Sequence, residues 1–140
     1  MLFLRAAAGA HPMGMNLTSN FSMGTGTTAQ VTGWTARSGF PSTVITSSKL
    51  VADNAGTWTV NSKTTVTSSW GTASALTMTI MKNASSFGTY SVAFGSSSGT
   101  FTPASITLAR GDLVWLEYTT PFGASGTLSS GSTNTFLTFS

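Results

Sequence analysis

Charged side chains are scarce in this sequence of 140 residues: only 6% are Asp, Glu, Lys or Arg, against about 25% in an ordinary soluble domain. The acids are Asp53, Asp112 and Glu117, and His11 is the sole histidine. General acid–base catalysis, catalytic triads and most metal sites draw on these residue types. The sequence therefore argues against an enzyme, and it predicts no catalytic residue, no metal site and no cofactor.

Cysteine is absent, which excludes disulfide bonds and thiolate metal ligands. The six basic residues give a net charge of +3 and a pI near 9.8, but they form no run, whereas proteins that bind nucleic acid normally cluster their cations. No apolar run approaches the ~18 residues that a membrane-spanning helix needs. We therefore predict neither a nucleic-acid partner nor a membrane partner.

The residues that are abundant form a β pattern rich in Ser, Thr and Gly. Hydrophobic residues make up 40% of the chain and aromatic residues 11%, which is ample for a core. Apolar side chains recur at every second position in several segments: Trp58 and Val60; Leu76, Met78 and Ile80; Tyr90, Val92 and Phe94. This period predicts strands with one buried face. Many short strands separated by turn-forming residues indicate an antiparallel sandwich or barrel.

The first 26 residues differ from the rest, because they hold four of the six methionines among several glycines. Adaptable methionines on such a segment suit docking onto an irregular apolar surface; the alternative is a segment folded back on its own domain. We predict a docking arm over residues 1–26 and a β-sandwich domain over residues 27–140. The candidate anchors are Leu2, Phe3, Leu4, Met13, Met15, Phe21 and Met23.

Two late segments are apolar on both faces: residues 113–118, except for Glu117, and residues 136–139. A strand of this kind in an antiparallel fold needs a cover on its second face. That cover is either a loop of the same chain or a second subunit. On the second interpretation the subunit contacts are Leu113, Trp115, Tyr118, Phe136 and Phe139.

Residues 110–112 read Arg-Gly-Asp, the tripeptide that integrins bind. It precedes an apolar strand directly, so we interpret it as a turn that leads into that strand, with the glycine relaxing the backbone. A calcium site built from the three acids is an alternative role for Asp112, but such sites need several converging oxygens.

Four motifs follow one another in a set order. Residues 56–60 (GTWTV) begin a strand with glycine, and residues 75–83 (ALTMTIMKN) supply the next strand and its turn. Residues 108–116 (LARGDLVWL) and residues 134–139 supply two later strands. In this order the motifs resemble the C1q/TNF-like jelly-roll family over roughly residues 42–140. The resemblance implies an all-β, antiparallel two-sheet jelly-roll sandwich, here with an extended N-terminal arm, that assembles as a homotrimer.

Small versions of this domain that lack cysteine and are rich in Ser, Thr and Gly resemble virion proteins of tailed bacteriophages. The resemblance implies a capsid decoration (cement) protein on the virion exterior. Its partner would be the major capsid protein of the same virion, and its arm would stabilise the shell. The alternative is a receptor- or glycan-binding tip domain of a tail or head fibre, using loops such as residues 95–99 and 123–132 to bind a host-surface glycan.

Overall fold

The structure is a computed structural model that describes residues 11–140. Every regular element in this range is a β-strand, which confirms the all-β prediction. No helix among these residues is long and apolar enough to cross a membrane. The strands are β1 (Met13–Leu17), β2 (Phe21–Met23), β3 (Thr28–Gln30), β4 (Trp34–Ala36), β5 (Ile45–Thr46), β6 (Lys49–Val51), β7 (Gly56–Thr65), β8 (Leu76–Lys82), β9 (Ser85–Val92), β10 (Ser98–Thr100), β11 (Ala104–Leu108), β12 (Leu113–Thr119), β13 (Gly126–Leu128) and β14 (Phe136–Phe139).

The strands form two large antiparallel sheets and one small sheet. The first sheet has the order β10-β7-β14-β1-β4, with β11 also paired to β7. The second has the order β5-β6-β12-β8-β9, with β3 also paired to β12, while β2 and β13 form the small sheet. Neighbours within a sheet are mostly distant in sequence, as for β1, which lies between β14 and β4. This crossed order is the two-sheet jelly roll that the sequence motifs imply.

The core lies between the two large sheets and follows the predicted period of two. In β8, Leu76, Met78 and Ile80 are fully buried, while Thr77 and Thr79 between them are half-buried. Side chains alternate between the faces of a strand, so every second residue of β8 points at the first sheet. The segments that alternate most clearly in the sequence are therefore the ones that line the core.

A polar contact inside the core accompanies the apolar packing. Ser62 and Thr64 continue the inward face of β7, and the Tyr90 hydroxyl of β9 lies 2.8 Å from Ser62 Oγ and 2.7 Å from Thr64 Oγ1. Buried hydroxyls are costly without such partners. Burial raises the pKa of Tyr90 to about 12, so its hydroxyl keeps its proton and links the two sheets by hydrogen bonds.

The predicted boundary at residue 26 is wrong, because the sandwich begins at Met13. β1 lies in the middle of the first sheet, and Met13 and Met15 are fully buried there. Leu17 follows at the same spacing of two and is buried as well. Residues 13–26 therefore belong to the jelly roll and not to a docking arm.

The two ends of the sandwich carry different connections. One end, the turn end, holds the start of the described chain and Ser140 together with three short connections, at residues 52–55, 83–84 and 109–112. The other end, the loop end, holds four longer segments, at residues 18–27, 66–75, 93–97 and 120–135. A partner that approaches along the strand direction therefore meets one of two distinct surfaces.

Candidate functional site

The described chain begins at the turn end, where His11 is held against the connection between β6 and β7. His11 Nδ1 lies 2.6 Å from Asp53 Oδ2, and the histidine remains largely exposed. This contact joins the first described residue to the turn end. The predicted anchors Leu2, Phe3 and Leu4 lie outside the described residues, so their docking role stays a prediction.

The other predicted anchors are used inside the domain. Met13 and Met15 have no exposed surface, and Met23 is only 4% exposed. Phe21 is half-buried, with its ring 5.7 Å from that of Tyr118 in an edge-on arrangement. The three methionines are therefore not available to a second protein, which corrects their assignment as capsid anchors.

The five predicted interface residues do not share a surface. On β12, Tyr118 points into the core, whereas Leu113 and Trp115 lie on the opposite, outer face of the second sheet. On β14, Phe139 packs in the core with its ring 5.5 Å from that of Trp58, and Phe136 lies on the outer face of the first sheet. Tyr118 and Phe139 are therefore buried within the protomer and not available to a second subunit, and the remaining three residues do not form one patch.

Local side chains cover the second apolar face of both late strands. Lys49 Nζ lies 4.1 Å from the ring centroid of Trp115, and Trp115 Nε1 donates to Glu117 Oε2 at 3.0 Å. Arg37 covers Phe136 in the same way, with its guanidinium carbon 4.0 Å from the ring centroid. Such cation–π contacts stabilise an aromatic side chain at a surface. The cover is thus supplied by the same chain, as in the first of the two interpretations.

The Arg-Gly-Asp segment forms the turn between β11 and β12. Asp112 accepts hydrogen bonds from Ala109 N at 2.8 Å and Asn83 Nδ2 at 3.2 Å. These hydrogen bonds, the one from Ala109 first, lower the pKa of Asp112. Gly111 supplies the left-handed conformation of the turn, with φ +88°. The carboxylate is therefore engaged in holding the turn, and residues 11–140 contain no group of three or more His, Cys, Asp or Glu that could hold a metal ion.

The loop end carries the exposed aromatic side chains that the sequence pattern did not reveal. Phe122 is 98% exposed and Phe94 66% exposed. Phe94 continues the alternation of Tyr90 and Val92, which predicts an inward position, but β9 ends at Val92 and the chain turns at Gly95, where φ is +78°. The glycine and serines that follow were the signal that the strand stops. Residues 95–97 and 123–132, from the loops considered for glycan binding, also lie at this end.

Comparison with known proteins gives a fold and nothing narrower. No protein-family model and no curated protein matches the chain. Among solved structures, Eiger TNF from S. frugiperda matches with a TM-score of 0.71 and 10% identity, over 93% of this chain and 90% of that one. Murine APRIL at pH 5.0 gives 0.67 and 12%, over 93% and 97%. The globular domain of zebrafish complement 1qA protein gives 0.57 and 12%, over 93% and 95%.

The fold is the C1q/TNF-like jelly roll. The similarity covers 93% of the chain, more than the region from residue 42 onward in which the sequence motifs occur. The jelly roll thus includes β1 to β4, which the motifs did not reach. At 10–12% identity the likeness establishes this architecture alone, so partners and assembly have to be argued from the residues of this chain.

Proposed function

We propose that this jelly roll is a structural, non-enzymatic virion protein of a tailed bacteriophage: a capsid decoration protein that binds the outer surface of the head as a trimer. The observation that carries the proposal is the way the chain joins the sandwich. The residues before His11 lead directly into β1, which is paired on both sides in the first sheet. A segment that holds a capsid subunit would therefore pull on a central strand.

The residues before His11 supply the contact that this role needs. Leu2, Phe3 and Leu4 supply an apolar cluster for the contact, and binding to the assembled shell stabilises it by mass action.

Trimer formation is part of this proposal, and it would raise the overall affinity for the shell. Three segments on one particle raise the effective concentration of each after the first has bound. Tyr118 and Phe139 are buried in the core of the protomer, so a trimer would be held by residues other than these two. Sedimentation equilibrium of the purified chain measures the assembly directly, and a monomer at micromolar concentration would contradict this part of the proposal.

The attachment is tested by removing residues 1–10. Deletion should stop there, because residues 13–15 belong to β1 and their loss would damage the core. We expect the shortened protein to keep its thermal unfolding temperature and to lose binding to heads that lack the protein, measured by co-sedimentation. Replacing Leu2, Phe3 and Leu4 with serine should have the same effect, while serine at Ala6, Ala7 and Ala8 should leave binding unchanged. Full binding by the deletion would contradict the proposal.

A second candidate function is supported by the loop end. Exposed Phe94 and Phe122 lie at the end opposite the point where the described residues begin, as a receptor- or glycan-binding tip domain requires. Copy number separates the two functions: hundreds of copies in each virion support decoration of the head, whereas a handful support a fibre tip.

A further inference from the structure

We infer that the loop end is a binding surface for a neutral polysaccharide, with Phe94 and Phe122 as its stacking side chains. The inference deepens the second candidate function and rests on it, but it does not depend on attachment to the head. It is carried by three independent features of this end: its lack of charge, its exposed phenyl rings and its hydrogen-bonded loops.

The four segments of the loop end carry no charged side chain, in contrast to the turn end. The segments 18–27, 66–75, 93–97 and 120–135 contain no Asp, Glu, Lys, Arg or His, and they are rich in Ser, Thr, Gly and Asn. The turn end, in contrast, carries His11, Asp53, Lys82, Arg110 and Asp112. An uncharged surface offers no ion pair to an anionic or cationic ligand, whereas its hydroxyl groups can donate to and accept from sugar hydroxyls.

The phenyl rings of Phe94 and Phe122 supply the apolar part of the surface. Exposed large hydrophobic side chains mark binding sites when they lie together. The strands that lead to them, β9 and β12, are separated in the second sheet by β8 alone. Neighbouring strands lie about 4.8 Å apart, so β9 and β12 end roughly 10 Å from each other, and Phe94 and Phe122 lie two and three residues beyond those ends. The C–H face of a sugar ring packs against an aromatic ring, so two such rings suit a polymer of sugars better than a single sugar.

Backbone hydrogen bonds hold the loops that carry these rings. Gly95 N donates to Trp70 O at 2.8 Å, and Trp70 N donates to Ser96 O at 2.8 Å, which joins the Phe94 loop to the connection between β7 and β8. On the other side Gly26 N donates to Pro121 O at 3.1 Å, next to Phe122. The segment that carries Phe122 also packs against the segment that holds the Phe94 loop, because Gly126 lies so close to the Trp70 ring that a Cβ added to it would be 3.1 Å away. Loops fixed in this way bind with a smaller loss of conformational entropy.

The lack of cations disfavours a membrane as the partner of this surface. A bilayer attracts peripheral proteins through cations as well as apolar side chains, and none of the four segments has a cation. The centre of a protein interface is enriched in Phe, as it is in Trp, Tyr, Met and Arg, so a protein partner has to be separated from a sugar by experiment. The sedimentation measurement below does this for a second copy of the chain.

The experiment probes the full chain against an array of bacterial surface polysaccharides, half of them neutral and half acidic, followed by affinity electrophoresis in each polymer that binds. The test variant is F94A combined with F122A. The matched control is V44A, because Val44 is the other exposed large hydrophobic side chain among the described residues and lies near the turn end, next to Val51. All three proteins should unfold at the same temperature.

We expect binding to at least one neutral polysaccharide, unchanged in the control and weakened about tenfold or more in the double variant. Binding to acidic polymers alone, equal binding by the double variant, or no binding to any neutral polymer would overturn the inference. A change of the double variant in oligomeric state alone, measured by sedimentation, would overturn it too, because the rings would then serve a second copy of the chain. Deleting residues 1–10 should leave this binding intact, so head attachment and polysaccharide binding can fail separately.

Discussion

The turn end and the loop end of the sandwich use apolar side chains in opposite ways. At the turn end, Met13 begins the described strands with no exposed surface. At the loop end, the bulkier Phe122 is 98% exposed. Hydrophobicity does not explain this difference, because phenylalanine is at least as apolar as methionine. Position does: Met13 occupies an inward position of a central strand, whereas Phe122 follows Pro121 just beyond the last residue of β12.

The strongest test of this difference between the two ends is to shorten one apolar side chain at each end. M13A leaves a cavity in the core and should lower the free energy of unfolding by about 2–5 kcal/mol. F122A removes a side chain that packs against almost nothing and should change it by less than about 0.5 kcal/mol. Urea denaturation followed by tryptophan fluorescence measures both, and similar losses in the two variants would show that the ends do not differ as described.

A second comparison lies at and next to the loop end, between a glycine that is closely packed and a glycine with open space around it. Gly99 lies in β10, an edge strand of the first sheet. A Cβ added to it would overlap the carbonyl oxygen of Ser91 in β9. A Cβ at Gly71 would meet nothing within 4 Å. G99A should therefore cost about 1–3 kcal/mol, as overpacking does, whereas G71A should be nearly neutral. Thermal unfolding of the two variants tests whether the sandwich is closed tightly at this end.

The smallest expected effect concerns pH at the turn end. The folded-state pKa of Asp112 is lowered, so its carboxylate stabilises the fold above the unfolded pKa of about 3.9, and this contribution is lost as pH falls through the folded pKa. The difference in unfolding temperature between the wild type and D112N should be largest near pH 7 and should close below about pH 4. F122A, at an end whose four segments contain no Asp, Glu or His, should show no such change with pH. A D112N difference that is constant with pH would contradict the hydrogen-bonded turn.

Strand type and core positions were predictable where the alternating pattern was long. Leu76, Met78 and Ile80 alternate with polar residues over a strand of seven residues, which is long enough to show the period of two. The order of the motifs implied the jelly roll. Met13, Met15 and Leu17 show the same period, but Gly14 between them and the clustered methionines favoured an arm. The signal for β1 was a set of three apolar residues at every second position. It was weak because the strand has only five residues.

The candidate sites were harder to predict because they depend on contacts between distant residues. Nothing near Trp115 in the sequence shows that Lys49 covers its ring, or that Arg37 covers Phe136. Both aromatic residues therefore suggested a subunit interface. The loop end has no motif of its own: it consists of four segments, each unremarkable in sequence, that only the topology brings together.

The pairing of β1 with β14 has a consequence for how the protein is made. Met13 lies opposite Phe139, so the middle of the first sheet is assembled from the two extremes of the described chain. Residue 139 must leave the ribosome before this pair can form. Until then β1 and β7 lack their partner β14, and their backbone groups on that side stay unpaired. All-β sandwiches dominated by such distant pairings fold in milliseconds to seconds. Folding of this domain is therefore completed only after residue 139 has left the ribosome, and the interval before that is when the chain is most prone to aggregate.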